Sequence, residues 1–183
     1  SAGNLAATFS YSQPSNRYKG KEEEMRETNV QKTEQILIDN YEKYYRLAYS
    51  YTRTQEDALD VVQESAYKAI RDCNKVENPN YISTWIYRIV VNTSIDLLRK
   101  RQKNESIVGK LDEDVSYEDS YSNPDLKAAL EQLDESEKTV IVLRYFEDLK
   151  LDDIARITDS NLNTVKARLY RGLKKLKDKM EGK

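Results

Sequence analysis

Between Thr33 and Thr52, Leu37, Tyr41, Tyr44, Tyr45, Ala48 and Tyr51 recur at three- and four-residue spacing. This spacing predicts one amphipathic helix whose tyrosines serve packing rather than base stacking. Thr54 followed by Asp57 has the form of a capping box and opens a second helix, ending near Arg71. On it Ala58, Val61, Val62, Ala66, Ala69 and Ile70 share the inward face, while Asp57, Asp60, Gln63, Glu64 and Lys68 stay outside. A loop over 72–80 follows, with Pro79 suited to the start of a third helix. That helix, YISTWIYRIVVNTSIDLLRKR, buries Ile82, Trp85, Ile86, Ile89, Val90, Ile95 and Leu98. It closes on Arg99, Lys100, Arg101 and Lys103, cations that suit the negative end of a helix dipole.

Residues 1–31 show no periodicity and read as a flexible leader, in part an artificial addition, with Met25 a candidate natural start. Periodicity is lost again over 104–122, where Asp112, Glu113, Asp114, Glu118 and Asp119 make an acidic linker. Asn123-Pro124-Asp125 restarts a helix, and Asp134 with Glu137 caps another, KTVIVLRYF, ending near Glu147. Beyond it, Leu151, Ile154, Ala155, Ile157, Leu162, Val165, Leu169, Leu173 and Leu176 form the inner face of two helices joined by a polar turn at Asp159, Ser160 and Asn161. Asn161 can cap the second of these by accepting from the backbone N–H of Asn163 or Thr164. The expected architecture is all-α: two small helical domains, 32–103 and 123–183, joined by the linker at 104–122.

Composition narrows the function. Of 183 residues 34% are charged and only five are Gly and three Pro, which suits helical bundles. The absence of His removes the usual acid–base imidazole, the Ser-His and Cys-His nucleophile pairs and imidazole metal ligands. With no Gly-rich phosphate loop either, no catalytic residue, metal or cofactor is expected. The single Cys73 fits a reducing cytoplasm, and no apolar run or cleavable leader signals membrane insertion or secretion. A net charge of −2 is low for an autonomous DNA binder. The charges are segregated, however, into an acidic run at Glu56, Asp57, Asp60 and Glu64, a basic run at 99–103, the acidic linker and a basic C-terminal helix. Such blocks suit separate surfaces for a protein partner and a nucleic acid.

The last helix would present Asn163, Thr164, Lys166, Ala167, Arg168, Tyr170, Arg171 and Lys174 outward, the mixture of amides, hydroxyls and cations that major-groove reading uses. Taken alone, it fits an ordinary solvated basic face equally well.

Three ordered blocks decide between these. YRLAYSYTRTQEDALDVVQESAYKAI resembles the first half of sigma domain 2, STWIYRIVVNTSIDLLRKR its minus-ten recognition helix, and LEQLDESEKTVIVLRYFEDLKLDDIARITDSNLNTVKARLYRGLKKLK sigma domain 4. The chain over 34–178 thus resembles the extracytoplasmic-function (ECF, group 4) sigma factors of bacterial RNA polymerase, in the sigma-70 family. The resemblance implies that Asp57, Asp60, Gln63 and Glu64 dock on core RNA polymerase. It implies that the loop with Val76, Glu77, Asn78, Asn80 and Tyr81, near Asn92, captures a base flipped from the melted non-template strand of the minus-ten element. Asp96, Arg99, Lys100 and Arg101 would lie along the same DNA, and Asn163, Thr164, Lys166, Ala167, Arg168, Tyr170, Arg171 and Lys174 on double-stranded minus-thirty-five DNA. It also implies a cytoplasmic, non-enzymatic initiation subunit restrained by a membrane-anchored anti-sigma factor during the absence of stress. Departures are Asp159 and Asn163 where Gly is common, and Ser160 in place of an apolar turn residue; Asp and Asn tolerate left-handed backbone. The alternatives left open are a stand-alone helix-turn-helix regulator and a sigma-like interaction module without initiation activity.

Overall fold

Among the described residues, regular structure is helical throughout. The computed structural model describes residues 16–108 and 124–182; the rest of the expected leader and most of the acidic linker, Asp112 to Asp119 included, lie outside the described residues. Helices α1 (Asn16–Asp39), α2 (Tyr41–Thr52), α3 (Gln55–Asp72) and α4 (Ile82–Val108) form the first half, with 3-10 turns Cys73–Lys75 and Pro79–Tyr81 between α3 and α4. The second half contains α5 (Pro124–Glu131), α6 (Glu135–Ile141), a π turn at Val142–Phe146, α7 (Leu151–Ile157) and α8 (Leu162–Glu181).

Three boundaries differ from the sequence expectation. The helix expected over 33–52 is broken at Asn40, whose side-chain amide donates to the Ile36 carbonyl at 3.0 Å. An Asn that hydrogen-bonds the preceding turn competes with helix propagation, and Tyr41 beyond it is exposed rather than inward. The leader expected to be structureless to position 31 is helical from Asn16. Its seating residues near the C-terminal half include Asn29 and Thr33, both buried, and polar residues on an inward face give no apolar period to detect. Helix α4 takes in the first five residues of the linker expected from 104, ending at Val108. Ile70 and Leu173, expected inside, are partly exposed.

Local caps follow the sequence. Thr54 Oγ1 accepts from the Asp57 backbone N–H at 3.3 Å, and Asn161 Oδ1 accepts from that of Thr164 at 2.8 Å. Asp134 makes no side-chain cap of α6; its expected capping partner Glu137 turns inward instead, as described below. Asp159 adopts φ 50, the left-handed conformation that the turn needed in place of Gly.

The core determines how the halves relate. Tyr44, Leu47, Ala48, Ala58, Val61, Ile82, Ile86 and Val90 are buried between α2, α3 and α4, and the same apolar cluster continues through Val140, Val142, Leu143, Ile154, Ile157 and Val165 of the second half. A smaller cluster of Ala129, Leu130, Leu133, Ile141 and Leu176 binds α5 to α6 and α8. The two units expected on either side of the linker, whose arrangement the sequence leaves open, share one core. Trp85 is partly buried against it, as expected of a packing residue.

Polar groups stitch the same seam. Tyr51 and Thr139 share a buried hydroxyl–hydroxyl hydrogen bond, and the Tyr87 hydroxyl donates to Glu147 Oε2 at 3.2 Å. The Tyr87 ring meets Tyr44 edge to face, centroids 5.0 Å apart. The π turn carries Glu147 to this position: its backbone N–H returns to the Val142 carbonyl at 3.2 Å, after which Asp148 reverses the chain at φ 51. Around the rim, Arg53 pairs with Glu131 at 3.2 Å and Arg99 with Glu135 at 3.6 Å. Lys138 lies 5.7 Å from the centroid of the Tyr51 ring. Burial, helped by Arg53 and opposed by Glu131, pushes its ammonium down to about 8.

Burial also raises the Glu147 carboxyl above its usual range, while the Tyr87 hydrogen bond, Arg46 and Lys43 act the other way. A carboxyl raised on folding binds more protons in the native state, so its contribution to stability falls as pH rises from its unfolded value through the raised one. Glu147→Gln keeps an acceptor for Tyr87 and removes this term. The difference in thermal midpoint between Glu147→Gln and the parent chain is expected to grow in favour of Gln from about pH 4 to pH 7; a pH-independent difference contradicts the account.

Candidate polymerase and promoter interfaces

Helix α3 displays the expected acidic face. Asp60, Gln63 and Glu64 are exposed, and Leu59 and Tyr67 are exposed apolar residues on the same helix. Asp57 departs from expectation. It is only 7% exposed, accepts from the Thr54 hydroxyl at 2.6 Å and forms an ion pair with Arg101 of α4. The capping geometry that starts α3 turns this carboxylate inward, so it anchors Arg101 rather than offering a docking charge. Arg101, expected on phosphate, is correspondingly engaged within the chain.

Asp60, Glu64, Lys68, Thr93, Asp96 and Lys100 line a narrow cleft between α3 and α4. There Lys68 binds Glu64 at 2.7 Å and donates to Thr93 at 3.1 Å. The expected docking carboxylates therefore adjoin the expected minus-ten residues. Asn92, Asp96, Arg99 and Lys100 lie on exposed positions of α4, with Arg99 reaching across the seam to Glu135.

The loop expected to hold a base consists of two small closed turns. The Val76 N–H returns to the Cys73 carbonyl at 3.1 Å and the Tyr81 N–H to that of Asn78 at 3.0 Å. Asn78 Oδ1 also accepts from the Asn80 N–H at 3.0 Å, fixing the N-terminus of the second turn. Glu77, Asn78, Asn80 and Tyr81 are exposed and Val76 is half-buried. Two contacts on this region were not legible in the sequence. The Arg156 guanidinium of α7 lies 4.5 Å from the centroid of the Tyr81 ring, and Arg88 of α4 pairs with Asp159 of the helix-turn-helix turn at 3.4 Å. The second half of the chain thus leans on the candidate base-capture loop, through cations that carry no local pattern pointing to such contacts.

Helix α8 separates its faces as its sequence predicts. Val165, Gly172 and Leu176 are buried while Asn163, Lys166, Ala167, Tyr170, Arg171 and Lys174 are exposed. Thr164 is half-buried beside the N-cap. Tyr170 is 71% exposed. Two cations of the expected reading face are also tied to the scaffold. Arg168 Nη1 donates to Ser160 Oγ at 2.8 Å, so the serine that replaces an apolar turn residue substitutes a hydrogen bond for a packing contact. Arg171 Nε reaches Glu137 Oε1 at 3.4 Å, and Lys175 donates to Glu137 Oε2 at 2.8 Å and to Asp134 at 3.2 Å. Glu137 is only 2% exposed; a buried carboxylate with two cations fixes the rotation of α8 about its axis.

Close approach of α6 and α8 depends on Gly172. A Cβ there would stand 2.6 Å from Ile141 Cδ1 and 3.4 Å from Glu137 Cβ. Ile141 is itself buried among Ala129, Leu130, Leu133 and Leu176, so moving its terminal methyl aside disturbs that cluster. Gly172→Ala is expected to destabilise the chain by about 1–3 kcal/mol through overpacking, despite a gain of up to about 1 kcal/mol in helix propensity. Adding Ile141→Val, which deletes the clashing methyl, should recover most of the loss; denaturant titration of the two variants measures both effects.

Comparison with known proteins places this geometry. The family model for sigma-70 region 2 matches residues 37–104, and that for sigma-70 region 4 matches residues 125–176. The chain is 49% identical over 140 residues to the RNA polymerase sigma factor SigV of Bacillus subtilis, covering 75% of this chain and 84% of that protein. It is 33% identical over 165 residues to the ECF RNA polymerase sigma-E factor of Haemophilus influenzae, covering 80% and 86%. Among solved structures, the sigma factor RpoE of Bartonella quintana, in complex with the anti-sigma factor NepR, shares the fold at a TM-score of 0.70 and 23% identity, over 81% of this chain and 96% of that one. The chain belongs to the ECF sigma factors of the sigma-70 family. It is therefore an RNA polymerase sigma factor, and the stand-alone regulator is not favoured.

Proposed function

We propose that this sigma factor docks on core RNA polymerase through Asp60, Gln63 and Glu64 of α3, reads a minus-ten element with the 76–81 loop and α4, and reads a minus-thirty-five element with α8. The observation that carries the reading is the division of α8, where Lys166, Ala167, Tyr170 and Lys174 project from a helix whose other face is locked to α6 by Gly172, Ile141 and Glu137. Lys and Arg donate to guanine O6 and N7 or to phosphate, and Ala167 can approach a thymine methyl. A base held in a pocket offsets a few kcal/mol of unstacking, which is how a loop of this kind would assist melting. The chain carries out no bond-making itself; phosphoryl transfer belongs to the polymerase.

The seam between the halves gives this function a closed starting point. Arg156 packs over Tyr81 of the 76–81 loop and Asp159 pairs with Arg88 of α4, so α7 and the turn before α8 adjoin the elements we assign to the minus-ten DNA. In our reading these contacts part when polymerase holds the two halves at separate promoter elements. RpoE, which shares this fold, was solved in complex with the anti-sigma factor NepR, and CnrH, which also shares it, in complex with the cytosolic domain of CnrY. By that likeness we propose an anti-sigma partner, membrane-anchored, acting on this chain in the cytoplasm; among the described residues no helix is long and apolar enough to cross a membrane.

Reconstituted transcription tests the reading. Core polymerase with this chain is expected to initiate at cognate promoters, with the free chain binding the same DNA poorly; binding to core enzyme without initiation would instead mark an interaction module. Within the holoenzyme, Lys174→Ala should weaken binding to all promoter sequences similarly and reduce the salt slope by about 1, as for one phosphate contact. Asp60→Asn with Glu64→Gln should strongly weaken core binding while moving the thermal midpoint of the free chain little, because Asp60 is exposed and Glu64 loses only a half-exposed pair with Lys68.

A further inference from the structure

We propose that Asn29 of α1 is a positioning residue for the base-capture loop: it fixes the joint between the loop's two turns so that the pocket exists before DNA arrives. This rests on the reading of 76–81 as that loop.

The loop's internal hydrogen bonds close the turn at Cys73–Lys75 and the turn at Pro79–Tyr81, each onto itself. Neither bond fixes one turn relative to the other. The joint is the stretch 76–78, which opens on Val76, extended at φ −85 and ψ 104, and closes on Asn78, extended at φ −108 and ψ 109. The Val76 carbonyl accepts from the Asn29 side-chain amide at 3.4 Å, a bond from forty-seven residues away in sequence. Helix α1 packs against the 73–75 turn and α3, and Asn29 is 4% exposed in that seat.

The chemistry of the seat argues for positioning over stability. Asn29 Oδ1 and Thr33 Oγ1 are both buried without a hydrogen-bond partner among the described residues. A buried polar atom without a partner is unfavourable, and an apolar side chain of similar size would seat α1 at no such cost. What an apolar side chain cannot do is donate to the Val76 carbonyl. The cation over Tyr81, Arg156, comes from the half of the chain that parts from the loop in the holoenzyme. Asn29 sits on the same side of the seam as the loop and stays with it.

The test uses holoenzyme assembled from core polymerase and the full chain. Fork-junction promoter DNAs randomised through the minus-ten element are selected for binding and sequenced, for the parent chain and for Asn29→Leu, with Asn29→Ala as a second variant. Leu fills the seat, so the thermal midpoint of Asn29→Leu is expected to match or exceed that of the parent. Base preference at one non-template position is expected to fall by roughly 2- to 10-fold, the range that loss of one net hydrogen bond spans, with preference at the minus-thirty-five element unchanged. Undiminished preference in both variants overturns the proposal, as does an equal loss at every position, which would mark a general structural defect. A parent holoenzyme with no single-position preference in the minus-ten element overturns the underlying reading of the loop, and is told apart because it appears before any substitution is made.

Discussion

One apolar core shared by α2, α3 and α4 with α6, the π turn, α7 and α8 is the constraint on which the rest of the structure depends. Dispersion and burial set its scale, and the polar groups on the seam set its register. Tyr51 with Thr139 and Tyr87 with Glu147 are buried hydroxyl pairings that can form in only one alignment of the halves. An unmade hydrogen bond at either site would leave a desolvated group behind. The charged rim, Arg53–Glu131, Arg88–Asp159 and Arg99–Glu135, lies in solvent, where each pair contributes little to stability. The rim pairs differ from the core in another respect: two of them use a residue within a proposed promoter-reading element, Arg99 of α4 and Asp159 of the turn before α8. Under that reading, closing the seam and contacting minus-ten DNA would compete for Arg99.

Much of this was legible in the chain. The alternation of apolar and polar positions located α3, α4 and α8, and the caps at Thr54 and Asn161 formed as their spacing required. Asp159 supplied the left-handed residue of the helix-turn-helix turn without Gly. Other features depended on contacts distant in sequence, where local pattern carries no signal. Asp57 reads as an outward charge on α3, yet its cap geometry brings it to Arg101 on another helix. Glu137 reads as a capping residue but is consumed by Arg171 and Lys175 of α8. The part of α1 before Thr33 gives no apolar period, because a polar residue, Asn29, takes a buried position there, and the break at Asn40 gives none because one side-chain amide decides it.

The candidate interfaces follow the same division. The sequence pattern puts the candidate reading cations on one face of α8, and the structure distinguishes those with no tie to the scaffold described above from those held by it. Lys166 and Lys174 project freely from the helix face, whereas Arg168 and the likewise exposed Arg171 are oriented by Ser160 and Glu137. A guanidinium already held at one nitrogen loses less freedom when it meets a base or phosphate, which favours specificity at those positions. On α4 the cleft beside α3 joins the proposed docking carboxylates to the proposed minus-ten residues, so polymerase binding and strand capture would be mechanically linked there.

A chain closed when free and opened by its polymerase changes the distance across the seam. Spin or fluorescent labels at Glu77→Cys and Asp152→Cys, both exposed sites, with the buried Cys73 replaced by Ser, report the separation of the base-capture loop from α7. The account predicts a single short distance in the free chain and a long one after core polymerase is added. A long or broadly distributed distance in the free chain, or a short one that survives in the holoenzyme, would contradict it.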